Sequence, residues 1–502
     1  MSVTGVSPQL APLIQSVLDV NNKLTTLQQQ LSSGQKSQTY SGLGAQSGIA
    51  VSLNAQLAAL ASFDDTITSV GTNITLQQQV LQQVAASAST VQAGTVQQGA
   101  FAIDGTGQTT TQKSAADALN QMLSALNTQG GNGYLFSGTG LDQPSVESPD
   151  HILNGNGALA GLKQVISERN QADLGADGLG RLVIPPASGS VVSMNEDVAG
   201  SPFGLKLAGV SSTLTGATVS GPTGSPAAIS VDLGAGNPSD GDTVTFTFNL
   251  PDGTTQKLTL QATASTTPGT NQFTIGATAA ATAINLQAAL TAGLSQIGST
   301  SLTAASAMAA SNNFFDDPPM RVSGTPATAT SLVAGTSANT VSWYTGNNAT
   351  GSIRSSTTAR IDPSTTVAYG TQANEQAIRW LVQNVATLAA TNYSTSDPNA
   401  AASYSALSQR VYAALAVPNG VQKVDDIEAS LANAQNAMAT AKSTHATTAN
   451  TLTDMLQSIE GVDTTAVGAQ ILSLQTILSA SLSTTARMAQ INLLAYLAPV
   501  SG

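Results

Sequence analysis

The 502-residue chain contains no cysteine, which excludes disulfides and metal sites built on thiolates. Only 9% of its residues are charged, against about 25% in typical soluble domains, and aromatic residues make up 4%. The composition is nonetheless not that of a disordered chain, since 41% of residues are apolar and recur with a clear period. Long thin helices and threonine-rich strands fit this composition better than one large globular core.

Positive charge is also scarce, and the net charge is −12. No basic stripe is present, so we expect no nucleic-acid partner. Residues 1–12 lack a positively charged stretch followed by a compact apolar core, so we expect no cleaved secretory signal. No run approaches the roughly 18 apolar residues of a membrane helix, so we also expect no membrane span.

Apolar residues near the N-terminus repeat at alternating steps of three and four, and the same rhythm returns over residues 424–441. Apolar residues also line the final predicted helix at less regular steps, and each pattern predicts a helix with one face that needs a helical partner. The N-terminal stripe comprises Leu10, Leu13, Val17, Val20, Leu24, Leu27 and Leu31. The C-terminal stripe comprises Val467, Ile471, Leu474, Leu478, Leu482, Ile491 and Leu494. The two stripes indicate that the termini pair with each other or with neighbouring subunits, and they form the predicted assembly interface. A stable monomeric helical bundle is the alternative interpretation.

The middle of the chain has a different texture, in which proline, glycine, threonine and serine punctuate short runs. Thr243 to Leu250 alternates threonine or asparagine with apolar residues, which predicts a half-buried strand. Pro251 to Gly253 predicts a turn, and Leu258, Leu260 and Ala262 predict the returning strand. The order of the strands does not follow from these patterns.

These patterns divide the chain into five segments. We expect an N-terminal assembly helix and hinge in 1–45, and the two halves of a long-helix inner domain in 46–144 and 371–460. Residues 145–370 form the expected outer domain or domains, and residues 461–502 the C-terminal assembly helix. The expected fold is mainly α at both ends, with long antiparallel helices in coiled-coil packing, and it carries a β-rich or α+β outer insertion.

Four short segments near the ends of the chain occur in a recognisable order. Residues 27–36 contain Leu-Ser-Ser-Gly at the end of the first predicted helix, and residues 48–53 open the second. Residues 459–463 combine acidic and small residues, and residues 493–497 are apolar. In this order the segments resemble the bacterial flagellin superfamily, which includes filament flagellins and the hook-filament junction protein (hook-associated protein 3).

The resemblance covers about residues 1–140 and 371–502. It implies a structural, self-assembling subunit of the bacterial flagellum, exported unfolded by the type III route and polymerised through its terminal helices for motility. The implied partners are copies of the chain and neighbouring flagellar subunits, and the resemblance also allows an export chaperone. It implies an extracellular location in the flagellum, no enzymatic activity and no cofactor.

The role within the superfamily has two interpretations. Residues 134–139, Tyr-Leu-Phe-Ser-Gly-Thr, resemble a segment common in junction proteins, whereas the large insertion favours a filament subunit. Two hypotheses from other classes also stay open. One is a secreted adhesin or translocator with coiled-coil ends, and the other is an enzyme carried on the outer domain.

A few polar residues have alternatives of their own. His445 falls on an apolar stripe, and we expect it to pack at an interface rather than to bind metal. Asp64 and Asp65 are adjacent on a predicted helix, where neighbouring side chains point apart, so we expect a solvated face. Asp316 and Asp317 precede two prolines in a predicted loop, where a calcium site is the alternative to solvated carboxylates.

Overall fold

The structure is a computed structural model, and it describes residues 10–96, 101–131, 133–348 and 350–497. These residues fall into two compact units. Unit 1 takes in the described residues of Met1–Thr68, Arg360–Thr366 and Asn436–Gly502. Unit 2 takes in the described residues of Ser69–Ala359 and Val367–Gln435.

Helices occupy both ends of the chain. In order, those of the described residues are α1 (Leu10–Ser33), α2 (Ser47–Val96), α3 (Thr110–Leu126), α4 (Pro149–Asn154), α5 (Leu162–Leu174), α6 (Ala279–Ile297), α7 (Thr303–Phe314), α8 (Gln376–Ala390), α9 (Ala400–Leu415), α10 (Val424–Glu460) and α11 (Thr464–Leu497). With 50 and 37 residues, α2 and α10 are far longer than the average helix of about 11–12 residues. Such lengths are typical of helices that pack along a helical partner.

Strands are concentrated between α5 and α8. The strands of the described residues are β1 (Gln129–Gly130), β2 (Gly133–Tyr134), β3 (Leu182–Val183), β4 (Val191–Glu196), β5 (Lys206–Ser212), β6 (Thr218–Thr223), β7 (Ala228–Asp232), β8 (Thr243–Asn249), β9 (Thr255–Thr263), β10 (Gln272–Thr274), β11 (Met320–Val322), β12 (Leu332–Ala334), β13 (Thr358–Arg360) and β14 (Thr366–Ala368). The expected fold class, helical ends around a β-rich insertion, is therefore confirmed.

Two four-stranded sheets form the core of the insertion, with orders β3-β4-β7-β6 and β5-β8-β9-β10. The predicted hairpin is confirmed, since β8 and β9 pair antiparallel with Phe246 opposite Leu258. Val244, Phe246 and Phe248 point into the core, and the alternate threonines point away. One face of α6 completes this core through Leu286, which is fully buried among residues of both sheets. Period-two burial in β8 is what the alternating sequence predicts.

One predicted strand is shorter than expected. The run from Tyr134 to Phe136 predicts a strand, but β2 ends at Tyr134. Phe136 is fully buried, and its carbonyl accepts a hydrogen bond from the backbone N–H of Ala373 at 2.9 Å. The apolar residues of this run are therefore buried against a segment that is distant in the sequence, and they do not extend a regular sheet.

Candidate assembly surface

In unit 1, the segment after α1 is joined to the segment between α10 and α11 by main-chain hydrogen bonds. The backbone N–H of Lys36 donates to the Glu460 carbonyl at 2.6 Å, and that of Val462 donates to the Gly34 carbonyl at 3.0 Å. The Lys36 ammonium also donates to the carbonyl of Ile459 at 2.7 Å. Gly34 has a φ of +68°, a left-handed conformation that glycine adopts without strain. We call this junction, residues 34–36 and 459–462, the hinge.

From the hinge, α1 and α11 run side by side. Asp463 starts α11 as an N-terminal cap, because its carboxylate accepts hydrogen bonds from the backbone N–H groups of Thr465 and Ala466 at 2.9 and 3.1 Å. A small apolar cluster then joins the two helices. Its buried members are Leu27, Val467 and Ile471, and Leu24, Val462 and Leu474 pack against them. Each terminal stripe therefore meets the other stripe of the same chain.

The predicted interface residues are covered unevenly. Leu27, Val467 and Ile471 are buried, whereas Leu31 and Leu482 are 43% and 51% exposed. The half-buried members are Leu13, Val17, Val20, Leu24, Leu474 and Leu478. The side chains of Leu10, Ile491 and Leu494 lie outside the described residues. Among the stripe side chains that the structure describes, pairing within one chain thus fully covers only Leu27, Val467 and Ile471.

Five further apolar residues that the predicted interface did not include are exposed beside the stripes. Their exposed fractions run from 46% at Met488 to 67% at Leu472. Met488 belongs to the apolar pattern of the final predicted helix, and the other four are Ile14, Leu18, Leu472 and Ile477. Apolar residues outside the heptad positions were the signal available in the sequence. Ile14 and Leu18, which are four residues apart on one helix face, are an example. Together with Leu31 and Leu482 we call these five residues the exposed apolar set.

Within the described residues, α11 also contains one stretch, Thr464–Met488, that is long and apolar enough to cross a membrane. An 18-residue window within this stretch has a mean hydropathy of 1.3, and 11% of that window is buried. Leucine and isoleucine are scattered among serine and threonine there, so no uninterrupted apolar run gave this signal in the sequence. The length and composition of a helix do not by themselves show whether a membrane or a protein partner covers it. The absence of a membrane span therefore stays a prediction.

The first part of α2 pairs antiparallel with the last part of α10 in unit 1. Ala50 and Leu53 are buried against Leu452 and Ile459, with Leu456 half-buried at the same contact. These positions repeat at the three- and four-residue steps of a coiled-coil seam. The long antiparallel helices expected from the sequence are thus present in this unit.

Farther along the same seam, His445 of α10 lies between two carboxylates. Its ring is 2% exposed, with Nδ1 2.8 Å from Oδ1 of Asp64 and Nε2 3.5 Å from Oδ2 of Asp362. The Phe63 ring packs beside it, with ring centroids 6.0 Å apart. The packing role expected for His445 is confirmed. The solvated face expected for Asp64 is wrong, because its carboxylate is half-buried against a partner 381 positions away in the sequence.

The acidic pair before the two prolines lies in unit 2. Asp316 is 3.1 Å from the Arg379 guanidinium, and Asp317 accepts a hydrogen bond from the Asn348 amide at 2.6 Å. Over the described ranges, no group of three histidine, cysteine or acidic side chains is placed to hold a metal ion. The described structure therefore does not support the calcium alternative.

Comparison with known proteins identifies the helical N-terminal part. Residues 11–140 match the family model described as the bacterial flagellin N-terminal helical region. The matched range contains α1, the first half of the hinge, α2 and α3. A search of curated proteins found no match.

His445→Ala removes the partner that Asp64 has across the α2–α10 seam. We expect a loss of about 1–3 kcal/mol in the free energy of unfolding, because a half-buried carboxylate is left without its hydrogen bond. Urea denaturation followed by the helical circular dichroism signal measures the loss. Thr444→Ala, the exposed neighbour in the chain, is the matched control and should change little. Equal losses in the two variants would contradict the role assigned to His445.

Acid should lower the stability of unit 1, because Asp362 then becomes protonated. Hydrogen bonds from the Ser364 backbone and hydroxyl, together with the nearby His445 ring, lower the pKa of this carboxyl below its ordinary value of 3.8. The folded state then binds fewer protons than the unfolded state, so the stabilisation is complete above the ordinary pKa and is lost as the pH falls below it. Melting temperatures of wild type and Asp362→Asn, compared from about pH 6 to about pH 3, measure this. An equal fall in melting temperature in both proteins would show that Asp362 is not the source of the acid sensitivity.

Proposed function

This chain belongs to the bacterial flagellin family, whose members are structural subunits, and we propose that it polymerises through α1 and α11 into the flagellar filament that drives motility. The observation that carries the proposal is the exposed apolar set. Its members lie on two helices that already pair with each other, yet each remains at least 43% exposed. Several large apolar side chains left exposed on one pair of helices mark an interaction site more often than they persist on a monomer.

Polymerisation would cover the exposed apolar set with the same helices of neighbouring copies. Burying one leucine or isoleucine side chain completely contributes about 1.5–3 kcal/mol, so a few such contacts per interface stabilise association. Around the helical axis of α11, Ile477 and Met488 lie on one side of the buried seam, whereas Leu472 lies on the other. A pair of helices with apolar residues on both sides of its own seam can contact two neighbours at once. Contacts of this kind repeat from subunit to subunit and extend a polymer.

Other classes of protein account less well for this surface. A monomeric adhesin, a translocator or an enzyme carried on the insertion would have no use for the exposed residues of α1 and α11. The net charge of −12 and the scarcity of basic residues favour separate soluble copies before assembly. The lack of cysteine suits an exported chain, and we infer type III export to an extracellular flagellum. A neighbouring flagellar subunit and an export chaperone are the further partners of this proposal.

The junction role rests on residues 134–139, and local packing accounts for that segment equally well. Ser137 is buried and pairs with Gln372 in an isolated bridge. Gly138 has a φ of +68°, and a side chain there would meet the Asn347 carbonyl oxygen. Since these residues serve contacts inside unit 2, they do not distinguish a junction subunit from a filament subunit. The large insertion keeps the filament role as our proposal.

Charge placed on α11 tests polymerisation directly. The double variant Ile477→Glu with Leu482→Glu should raise the protein concentration needed for polymerisation at least about tenfold, because each carboxylate would have to be desolvated in the interface. Sedimentation and electron microscopy of the polymer measure the effect. The matched control is Ser473→Glu with Ser483→Glu, which places the same charge on the face of α11 opposite its buried seam. Equal polymerisation of wild type and the apolar-face variant would contradict the proposal.

Localisation distinguishes the filament from the junction. Antibody labelling of intact flagella should decorate the whole length of the filament, since a filament subunit repeats along it. Label confined to a ring where the filament meets the hook would assign the junction role instead. A chain lacking residues 1–31 provides the control, because without α1 it should be absent from both places.

A further inference from the structure

Unit 2 contains an open cleft of about 620 Å³, within the range of about 300–1,000 Å³ that is usual for small-ligand sites. Its walls are α7, α8, α9 and the turn between β8 and β9. The cleft is built by the insertion and the helices that follow it, not by the helices assigned to assembly. Its chemistry can therefore be considered separately from polymerisation.

The charged groups at the cleft are neutralised by partners within the chain. The Nε atom of Arg410 donates to Asp252 at 2.8 Å, and both side chains lie at the cleft. Arg169 is bound in the same way to Asp173, at 2.8 Å, with both side chains buried. Neither guanidinium is free to recognise a phosphate or a carboxylate. A ligand that fits this balance carries no net charge.

Carboxamide groups in the cleft are left without partners. Gln383 is only 5% exposed and lines the cleft, yet its side chain makes no hydrogen bond to any residue that the structure describes. The carboxamides of Asn312 and Asn313, from α7, line the same cleft and likewise have no partner among the described residues. Gln383 is nearly buried, whereas Asn313 is half-buried and Asn312 is exposed, so the three carboxamides line the cleft at different depths. These groups together offer donors and acceptors side by side.

A flat apolar wall lies beside the carboxamides. The indole N–H of Trp380 donates to the Ala414 carbonyl at 2.7 Å, which fixes the orientation of the ring. Trp380 is half-buried, and Met308 and Pro418 line the cleft with it. An anchored aromatic ring next to polar groups suits a ligand with one apolar face and many hydroxyl groups.

We propose that this cleft binds a neutral oligosaccharide. Sugar hydroxyls both donate and accept hydrogen bonds, as do the carboxamides of Gln383, Asn312 and Asn313. The C–H face of a sugar ring can pack on Trp380. A purely apolar ligand would leave the Gln383 carboxamide unsatisfied. A charged ligand would find both arginines already paired. The flagellin subunit would thus carry a glycan-binding site in its insertion, in addition to its assembly surface.

Direct binding measurements test the site on the full-length chain kept below its polymerisation concentration. A glycan array of neutral and acidic oligosaccharides identifies candidates, and titration calorimetry with maltose, cellobiose, lactose and diacetylchitobiose measures affinity. We expect binding of neutral glycans, accompanied by a change in tryptophan fluorescence, because one of the two tryptophans, Trp380, lines the cleft. No glycan binding, or binding of acidic glycans alone, would overturn the proposal.

Variants assign the binding to the cleft. Gln383→Ala and Asn313→Ala should each weaken the affinity about tenfold or more, as expected when a buried hydrogen bond to ligand is lost. Gln121→Ala, an exposed carboxamide on α3 away from the cleft, is the matched control and should bind as wild type does. Urea denaturation checks that the variants fold, and Asn312→Ala on the more exposed rim replaces any that do not. Unchanged affinity in the folded cleft variants would overturn the proposal, whether or not the chain polymerises.

Discussion

The packing of α1 against α11 determines which apolar side chains of the two terminal helices are buried within one chain. Near the hinge the two helices bury Leu27, Val467 and Ile471, and their other large apolar side chains that the structure describes are half-buried or exposed. Three buried apolar side chains among those described are few for helices of 24 and 34 residues, because fixing each backbone residue costs about 1–2 kcal/mol of conformational entropy. The two terminal helices of one chain thus pair with each other while part of their apolar surface stays exposed. That surface is the one that we propose further copies cover.

The hinge and the α2–α10 seam add further contacts next to this small apolar contact between α1 and α11. Backbone hydrogen bonds at Lys36 and Val462 hold the starts of the two terminal segments together, so neither helix has to find the other by diffusion. His445 adds a polar contact to the α2–α10 seam through Asp64. A buried polar pair of this kind fixes the register of long helices, which apolar residues at regular spacing specify poorly.

The sequence was informative where a pattern is local. Heptad spacing predicted the helices, and strict alternation predicted the β8–β9 hairpin, because each pattern reports which side of an element is buried. It could not tell what covers that side, so the exposure of Leu31 and Leu482 was not foreseen. Contacts between distant residues, such as Asp64 with His445, and the grouping of Gln383 with Asn313 depend on topology. The order of strands was beyond the sequence for the same reason.

Amide hydrogen exchange tests the central claim most directly, that α1 and α11 are completed only by other copies of the chain. The account predicts that the amides of Leu10–Ser33 and Thr464–Leu497 exchange rapidly in dilute monomer and at least about 100-fold more slowly in the pelleted polymer. Amides of β8 and β9 should be protected equally in both samples. Full protection of α1 and α11 in the monomer, unchanged in the polymer, would contradict the account.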